Sequence, residues 1–287
     1  MFYLTSGKRF MTRYRGKTIY NISNRESSLR ASVGGFSLFF ETLSELSDKI
    51  KEYDVQYLRI EEISNENTRS IILNLKNCVE FIEIDCNGDL LDVSYLSECK
   101  KLKELIVSGY HKLSELWDMS KNPVLEKVEI YYTDTLVTLN GIKSESLKEF
   151  SYAAFSYRFY EKCDSILNAD LSVFKDTPAL ESLSLTLPLK PRSPVELCNL
   201  ALLKNLKNIK ISKYAFSFKE FAWLKSKIPE VSGLECIQEI KKDRYKGDIC
   251  YAIIGREFDS WIADNSGEIT ESYIRKYQNL VEDFKNN

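Results

Sequence analysis

A short spacing of apolar residues recurs along most of the chain. The fragment Leu102-Lys-Glu-Leu105-Ile-Val107 places apolar residues at positions 1, 4 and 6 of a repeat. Six other segments share this spacing, and they begin at Val55, Val79, Leu125, Leu147, Leu180 and Leu206. With a degraded copy at Val231, the steps between starts are 24, 23, 23, 22, 33, 26 and 25 residues. Repeats of this length indicate a chain built from stacked supersecondary units.

The later part of each repeat carries a second apolar pattern. In the repeats that begin at Val79, Leu102 and Leu125, positions 12, 15 and 18 are also apolar. Positions 4 and 6 are two residues apart and so lie on one face of a strand, whereas a spacing of three suits a helical or 3₁₀ segment. Each unit is therefore predicted to be a strand plus a return segment. Because one unit cannot bury its own apolar face, stacking should produce a parallel sheet.

The recurring LxxLxL spacing resembles the leucine-rich repeat family over residues 55–235. This resemblance implies an α/β leucine-rich repeat solenoid with a parallel β-sheet on its concave side and short helical or 3₁₀ return segments. The family's asparagine at position 9 appears here only as Asn87. Five of the other repeats have these residues at that position: Tyr110, Thr133, Phe155, Pro188 and Tyr214. The chain therefore resembles an irregular member of the family.

The two ends of the chain depart from the repeat and are predicted to be folded caps. Solenoids need such caps because a terminal repeat would otherwise expose its apolar cross-section. We assign residues 1–54 to an N-terminal cap, 55–235 to the repeats and 236–287 to a C-terminal cap, all in one continuous structural unit. The N-terminal cap has a strand-like run over 17–22 and a helical candidate over 38–50.

The C-terminal cap is predicted to be a hairpin followed by a helix. Its strands should cover 249–254 and 258–262, separated by Gly255-Arg256, with a turn at Asn265-Ser-Gly267. Thr270 can then N-cap a final helix. The apolar stripe of that helix consists of Ile274, Tyr277, Val281 and Phe284.

The long step after Leu147 holds about ten extra residues. Asp170-Leu171-Ser172 matches Asp92-Val93-Ser94 and Asp118-Met119-Ser120, which places the insertion between Tyr152 and Leu171. The insertion is rich in aromatic residues: Phe155, Tyr157, Phe159 and Tyr160. Insertions in repeat proteins map to loops that often bind partners, but these rings can equally pack over the widened repeat.

Composition narrows the class of protein. The chain has 287 residues, 44% of them apolar, and its 40 basic and 42 acidic side chains nearly cancel. This excludes intrinsic disorder and a polycation built for nucleic acid. Seven cysteines without a CxxC pair fit reduced thiols, and no segment approaches the roughly 20 apolar residues of a membrane helix. We therefore expect a cytoplasmic protein that does not bind membranes.

The sequence offers little for catalysis or for binding a cofactor or metal. His111 is the single histidine and sits beside a predicted turn, with nothing nearby that resembles a nucleophile elbow. Cys78, Cys86 and Cys99 fall in successive repeats but lack the close ligand pairs of a zinc site. We expect a non-enzymatic protein without cofactor or metal.

The outward positions of the predicted sheet are the better lead. If positions 4 and 6 point inward, positions 3, 5 and 7 point outward. In the first five repeats these positions carry six carboxylates against two basic groups, with aromatic residues and Ile106 among them. Together with the insertion they give the predicted partner-binding residues: Tyr57, Phe81, Glu83, Asp85, Glu104, Glu129, Tyr131, Glu149, Tyr157 and Phe159. The alternative is a solvated sheet face without a partner.

These residues predict a module that binds a protein through an acidic and aromatic face, which would suit a basic partner. A more specific version is a bacterial immunity or inhibitor protein that masks a basic toxin or enzyme. The alternative is a nucleic-acid-associated protein, because residues 1–30 hold a single acid, Glu26, among seven basic side chains. These are Lys8, Arg9, Arg13, Arg15, Lys17, Arg25 and Arg30. The sequence does not indicate the partner's identity or the oligomeric state.

Overall fold

The structure is a computed structural model. It describes the backbone of 13–14, 17–25, 28–33 and 36–40. It also describes residues 56–61, 65–85, 92–108, 113, 115–131, 136, 138–153, 170–185, 194–212, 215–243, 246–258 and 261–286, with only the backbone for 194–196.

A large sheet runs through the described part of the chain. Its strands are β1 (Arg13–Tyr14), β2 (Lys17–Arg25), β3 (Ser28–Val33), β4 (Phe36–Phe40), β5 (Tyr57–Glu61), β6 (Phe81–Asp85), β7 (Glu104–Ser108), β8 (Lys127–Tyr131), β9 (Glu149–Ala153), β10 (Ser182–Leu185) and β11 (Asn208–Ile211). The spatial order is β11-β10-β9-β8-β7-β6-β5-β2-β3-β4, with β1 paired to β2. Strands β5 to β11 form seven consecutive parallel strands, and the fold is mixed α/β.

The pairing register follows the repeat position by position. Ile82 on β6 pairs with Leu105 on β7, which pairs in turn with Val128 on β8. Ile84, Val107 and Ile130 align in the same way, and all six side chains are buried. The prediction that these residues are buried in parallel strands is confirmed. A shift of one residue would have turned every one of them to the opposite face of the sheet.

The return segments differ from one repeat to the next. Helix α1 (Asn65–Leu75) connects β5 to β6, whereas 3₁₀ turns at Ser94–Glu98, Met119–Lys121 and Leu171–Asp176 occupy later returns. Helices α2 (Pro194–Ala201) and α3 (Phe218–Lys227) flank β11 along the chain. The predicted apolar positions are filled by the buried residues Val93, Leu96, Leu113, Met119, Leu136, Leu139 and Ile142, and by half-buried Leu116.

The three Asp-x-Ser segments start the 3₁₀ returns in the same way. The carboxylates of Asp92, Asp118 and Asp170 each accept a hydrogen bond from the backbone N–H two residues later, at 2.8, 3.1 and 2.8 Å. A short acidic side chain can satisfy a backbone donor that the first turn leaves unpaired. The recurrence of this motif therefore reflects a local structural requirement at the start of each return.

The C-terminal region forms a smaller sheet and a long helix. Strands β12 (Ile237–Lys242), β13 (Ile249–Ile253) and β14 (Ile262–Ala263) pair antiparallel in that order, and α4 (Glu268–Asn286) follows. The prediction omitted β12. Of its strand at 258–262, Ile262 is confirmed, Phe258 and Trp261 do not belong to a strand, and 259–260 lie outside the described residues. The stripe on α4 is confirmed in part: Tyr277 and Val281 are buried, and Ile274 and Phe284 pack against the core.

Thr270 does not N-cap the final helix, since α4 begins at Glu268. Asp264 takes that role instead. Its carboxylate accepts hydrogen bonds from the backbone N–H groups of Gly267 and Thr270, at 3.0 and 2.7 Å, and from the Thr270 hydroxyl at 2.7 Å. These bonds, led by the one from the Thr270 N–H, hold the pKa of Asp264 below its usual range.

In the N-terminal region the predicted strand at 17–22 is confirmed within β2. The predicted helix was wrong at its start, because residues 38–40 belong to β4; residues 41–50 lie outside the described part. The position-9 residues named above and the aromatic insertion at 155–160 also lie outside it.

Candidate binding face

We use "outward face" for the residues at repeat positions 3, 5 and 7 that lie on strands β5 to β9. Strand alternation places these positions opposite the buried side chains of positions 4 and 6. The face carries the carboxylates Glu61, Glu83, Asp85, Glu104, Glu129 and Glu149, and the bases Arg59 and Lys127. Its formal charge is thus six acids minus two bases, a net of −4.

Arg59 gathers three of these carboxylates at one end of the face. Its Nε lies 2.7 Å from an oxygen of Glu61, its Nη1 lies 3.3 Å from Glu83, and its Nη2 lies 3.7 Å from Asp85. The parallel register places Arg59 beside Glu83 and Glu61 beside Asp85. One guanidinium therefore offsets part of a charge of −3 on two adjacent strands.

Lys127 has the same role further along the sheet. Its ammonium lies 2.9 Å from Glu129 on its own strand and 3.4 Å from Glu149 on β9. Burial acts to lower the pKa of Lys127, but the hydrogen bonds and negative charges of these two glutamates raise it on balance. The two bases thus contact five of the six carboxylates, and the self-repulsion expected from sequence is already reduced within the protein.

The pKa of Glu83 shows that Arg59 and Lys127 do not remove all of the repulsion among the carboxylates. Burial raises the pKa of Glu83, the charge of Arg59 acts in the opposite direction, and the nearby charges of Asp85, Glu61 and Glu129 raise it further. The balance is a pKa above the ordinary value, so the ionised form is disfavoured at this point of the face. A cation brought close to it would favour ionisation.

The two aromatic rings at the β5–β6 end are not exposed anchors. Tyr57 and Phe81 are only 8% and 3% exposed, and their rings stack with centroids 5.7 Å apart. Glu104, the next residue in that row, is 6% exposed. Because Leu58 and Ile82 are also buried, both sides of the sheet are covered at this end. The expectation that Tyr57, Phe81 and Glu104 are open to a partner is corrected for the unbound protein.

The face opens toward β9. Glu149 is exposed, whereas Glu129, Tyr131 and Ile106 are half-buried. The register places Ile106 between Glu83 and Glu129, with Tyr131 near the end of the adjacent strand. An apolar side chain with a carboxylate on each side can contact a partner that combines apolar and basic groups. Tyr157 and Phe159 lie outside the described residues, as do the side chains of the basic N-terminal group.

A second charge pattern runs along the repeats, and the sequence-based prediction did not include it. Position 2 of the repeats reads Gln56, Glu80, Lys103, Glu126, Lys148, Glu181 and Lys207. Its acids and bases alternate and pair across neighbouring repeats: Glu80 with Lys103 at 3.1 Å, Glu126 with Lys148 at 3.0 Å and Glu181 with Lys207 at 2.6 Å. This position-2 ladder is neutral overall and differs in that respect from the outward face.

The sequence did not indicate a cavity of about 360 Å³ between α4 and the segment before β12. Its lining includes Leu234, Cys236, Tyr277 and Val281. Burial raises the pKa of the Cys236 thiol to about 12, so it stays protonated at neutral pH. The Tyr277 hydroxyl donates to the carbonyl of Leu234 at 2.7 Å, so this polar group of the cavity is engaged in holding α4.

The described part of the chain contains neither a membrane-spanning helix nor a metal centre. No helix in it is long and apolar enough to span a membrane. No group of three or more His, Cys, Asp or Glu side chains in it could hold a metal ion. Its five cysteines (Cys78, Cys99, Cys198, Cys236 and Cys250) are not joined by disulfide bonds.

Comparisons with protein-family models, curated proteins and solved structures find no significant match for this chain.

Proposed function

We propose that this protein is a non-enzymatic binding module that captures a basic protein on the outward face. The observation that carries the proposal is the net charge of −4 on five adjacent in-register strands, which remains after Arg59 and Lys127 have made their ion pairs. Carboxylates held this close act as one field, which attracts a basic surface and speeds its encounter. We place the contact at the open end, around Ile106, Glu129, Tyr131 and Glu149.

The proposed architecture is an irregular leucine-rich repeat solenoid. It is supported by repeats of 22 to 33 residues, by their in-register parallel strands and by a helix or 3₁₀ segment after six of the seven parallel strands. A more specific form of the proposal is a cytoplasmic bacterial immunity or inhibitor protein whose acidic face masks a basic toxin or enzyme. Since a fold alone does not fix a function, this form rests on the charge of the face.

The test is capture of partners from the native cell by the tagged full chain, followed by mass spectrometry and binding kinetics with the captured protein. The face variant replaces Glu129 and Glu149 with Gln. The control variant replaces Glu126 and Glu145, which are exposed and lie outside the outward positions, and so makes the same change in net charge.

We expect the face variant to associate several-fold more slowly at low salt, with a flatter salt dependence, because steering charges act mainly on association. The control should behave like the wild type. Equal losses in both variants would mean that only net charge matters. Capture of nucleic acid with a steep salt dependence would instead favour the basic N-terminal region as the binding site.

A further inference from the structure

Strand β12 is an edge strand with an exposed surface. It pairs with β13 on one side and is the first strand of its three-stranded sheet. All five residues from Gln238 to Lys242 are exposed, and Ile240 in the middle is 62% exposed. An edge strand that presents backbone groups and a large apolar side chain is a template for pairing with another strand.

The register shows which backbone groups point outward. The Asp243 N–H donates to the Asp248 carbonyl at 2.7 Å, which makes these two a hydrogen-bonded pair. Hydrogen-bonded and non-hydrogen-bonded pairs alternate in an antiparallel ladder. Lys241 with Cys250 and Glu239 with Ala252 therefore direct their backbone groups toward each other. The N–H and C=O groups of Ile240 and Lys242 point to the opposite edge.

We propose that β12 pairs antiparallel with β12 of a second copy of this chain, about a two-fold axis at Ile240. The two Ile240 residues form a hydrogen-bonded pair at the axis. Glu239 then lies directly opposite Lys241 of the second copy, in a non-hydrogen-bonded pair where side chains are closest. Gln238 lies opposite Lys242 of the second copy. The product is one six-stranded sheet.

The charges select this register over its neighbours. The outward-pointing backbone N–H and C=O groups of one copy must meet the outward-pointing groups of the other. The register can therefore change only in steps of two residues, and each step moves the two-fold axis by one residue along β12. An axis at Glu239 would place two glutamates opposite each other, and an axis at Lys241 would oppose two lysines. Like charges directly opposite are destabilising, and registers shifted further pair fewer residues. Only the axis at Ile240 pairs the central strand residues with opposite charges on both sides.

The side chains around the axis fit the same arrangement. Glu239 and Lys241 share one side of the strand, where the Lys241 ammonium lies 3.7 Å from the centre of the Trp261 ring. Ile240 is on the other side, opposite Tyr251, which is next to Ile262 on β14. Lysines on an edge strand normally discourage pairing. In this dimer each Lys241 lies opposite Glu239 of the second copy, and each Ile240 is covered by Ile240 of the second copy.

Sedimentation equilibrium of the full chain at low salt tests the proposal. We expect a concentration-dependent monomer–dimer equilibrium in the wild type. Lys241→Glu and Glu239→Lys should each weaken dimerisation by roughly tenfold or more, because both axis-related ion pairs become repulsive. The double variant Glu239→Lys/Lys241→Glu should restore it, since the swap recreates the pairs with reversed polarity. Lys242→Glu, which makes the same charge change opposite Gln238, is the matched control.

Thermal unfolding of each variant verifies that the monomer is intact. A wild type that stays monomeric up to roughly 1 mM would overturn the proposal. It would also be overturned by a dimer that Lys241→Glu leaves unchanged, or by a double variant that fails to recover. Because β12 lies outside the outward face, these results are independent of whether a basic protein binds there.

Discussion

Replacing Asn122 with alanine should destabilise the protein far more than the same exchange at an exposed asparagine. Asn122 is fully buried and connects two repeats. Its amide nitrogen donates to the carbonyls of Leu96 and Cys99 in the preceding repeat, both at 2.8 Å. Its amide oxygen accepts from the indole N–H of Trp117 at 2.7 Å. Each hydrogen-bonding atom of the side chain is thus used inside the core.

The size of the destabilisation follows from the hydrogen bonds that the three partners of Asn122 lose. The carbonyls of Leu96 and Cys99 each keep one backbone hydrogen bond, from Cys99 and Leu102, so each loses the net value of a single bond, about 0.5–1.5 kcal/mol. The Trp117 N–H is buried and loses its partner, which costs about 1–3 kcal/mol. We therefore expect a loss of about 2–6 kcal/mol in the free energy of unfolding.

Urea unfolding followed by tryptophan fluorescence and circular dichroism measures this loss as a shift in midpoint at constant slope. Asn205→Ala is the matched control, because Asn205 also donates to a carbonyl of the preceding repeat, Pro178 at 2.9 Å, but is exposed. It should cost less than about 1 kcal/mol. With Trp117→Phe as background, the cost of Asn122→Ala should fall by about 1 kcal/mol or more, since no indole donor remains to be stranded. Equal losses at Asn122 and Asn205 would refute this account of the buried hydrogen bonds.

Two other predictions concern the two sides of the sheet. Leu105→Ala should lower the free energy of unfolding by about 2–5 kcal/mol in chemical unfolding, because it empties a fully buried site. Ile106→Ala should cost clearly less, because Ile106 is the next residue along the strand and is half-buried. Similar costs would contradict the alternation of inward and outward side chains along β7. Glu83→Gln should stabilise the protein at pH 7 and have almost no effect near pH 3. The raised pKa of Glu83 means that wild-type stability falls as pH rises through that pKa, because the folded state disfavours the charge. Parallel pH profiles of unfolding for the two proteins would count against this.

Apolar spacing was sufficient to predict the parallel strands and their register. Leu105 and Val107 had to face the same side, and repeats of similar length aligned them with Ile82 and Ile84. Local polar chemistry also carried information, since the Asp-x-Ser segments mark the starts of the 3₁₀ returns. Both signals depend on residues close together in sequence, which is why they could be recognised in a single chain.

The burial of side chains on the outward face could not be predicted in the same way. Alternation assigns Phe81 to one side of a strand, but whether that side is open depends on what packs over it. Tyr57 stacks on Phe81 from the neighbouring strand, and both rings are buried. The error at Thr270 has a similar origin: Asp264, six residues earlier in the chain, folds back to accept the donors of the first turn of α4.

The position-2 ladder is a charge pattern in which acids and bases balance, as expected for residues that serve only stability and solubility. Its three acids and three bases alternate, and each ion pair joins adjacent repeats: Glu80 with Lys103, Glu126 with Lys148 and Glu181 with Lys207. The outward face of the same strands could have followed this pattern. Instead it has four more acids than bases, and burial, together with the charges of Asp85, Glu61 and Glu129, raises the pKa of Glu83 despite its contact with Arg59. Such an excess is unfavourable for the unbound protein and favourable once a cationic surface is close. The binding role that we propose would account for that cost, which a solvated face without a partner leaves unexplained.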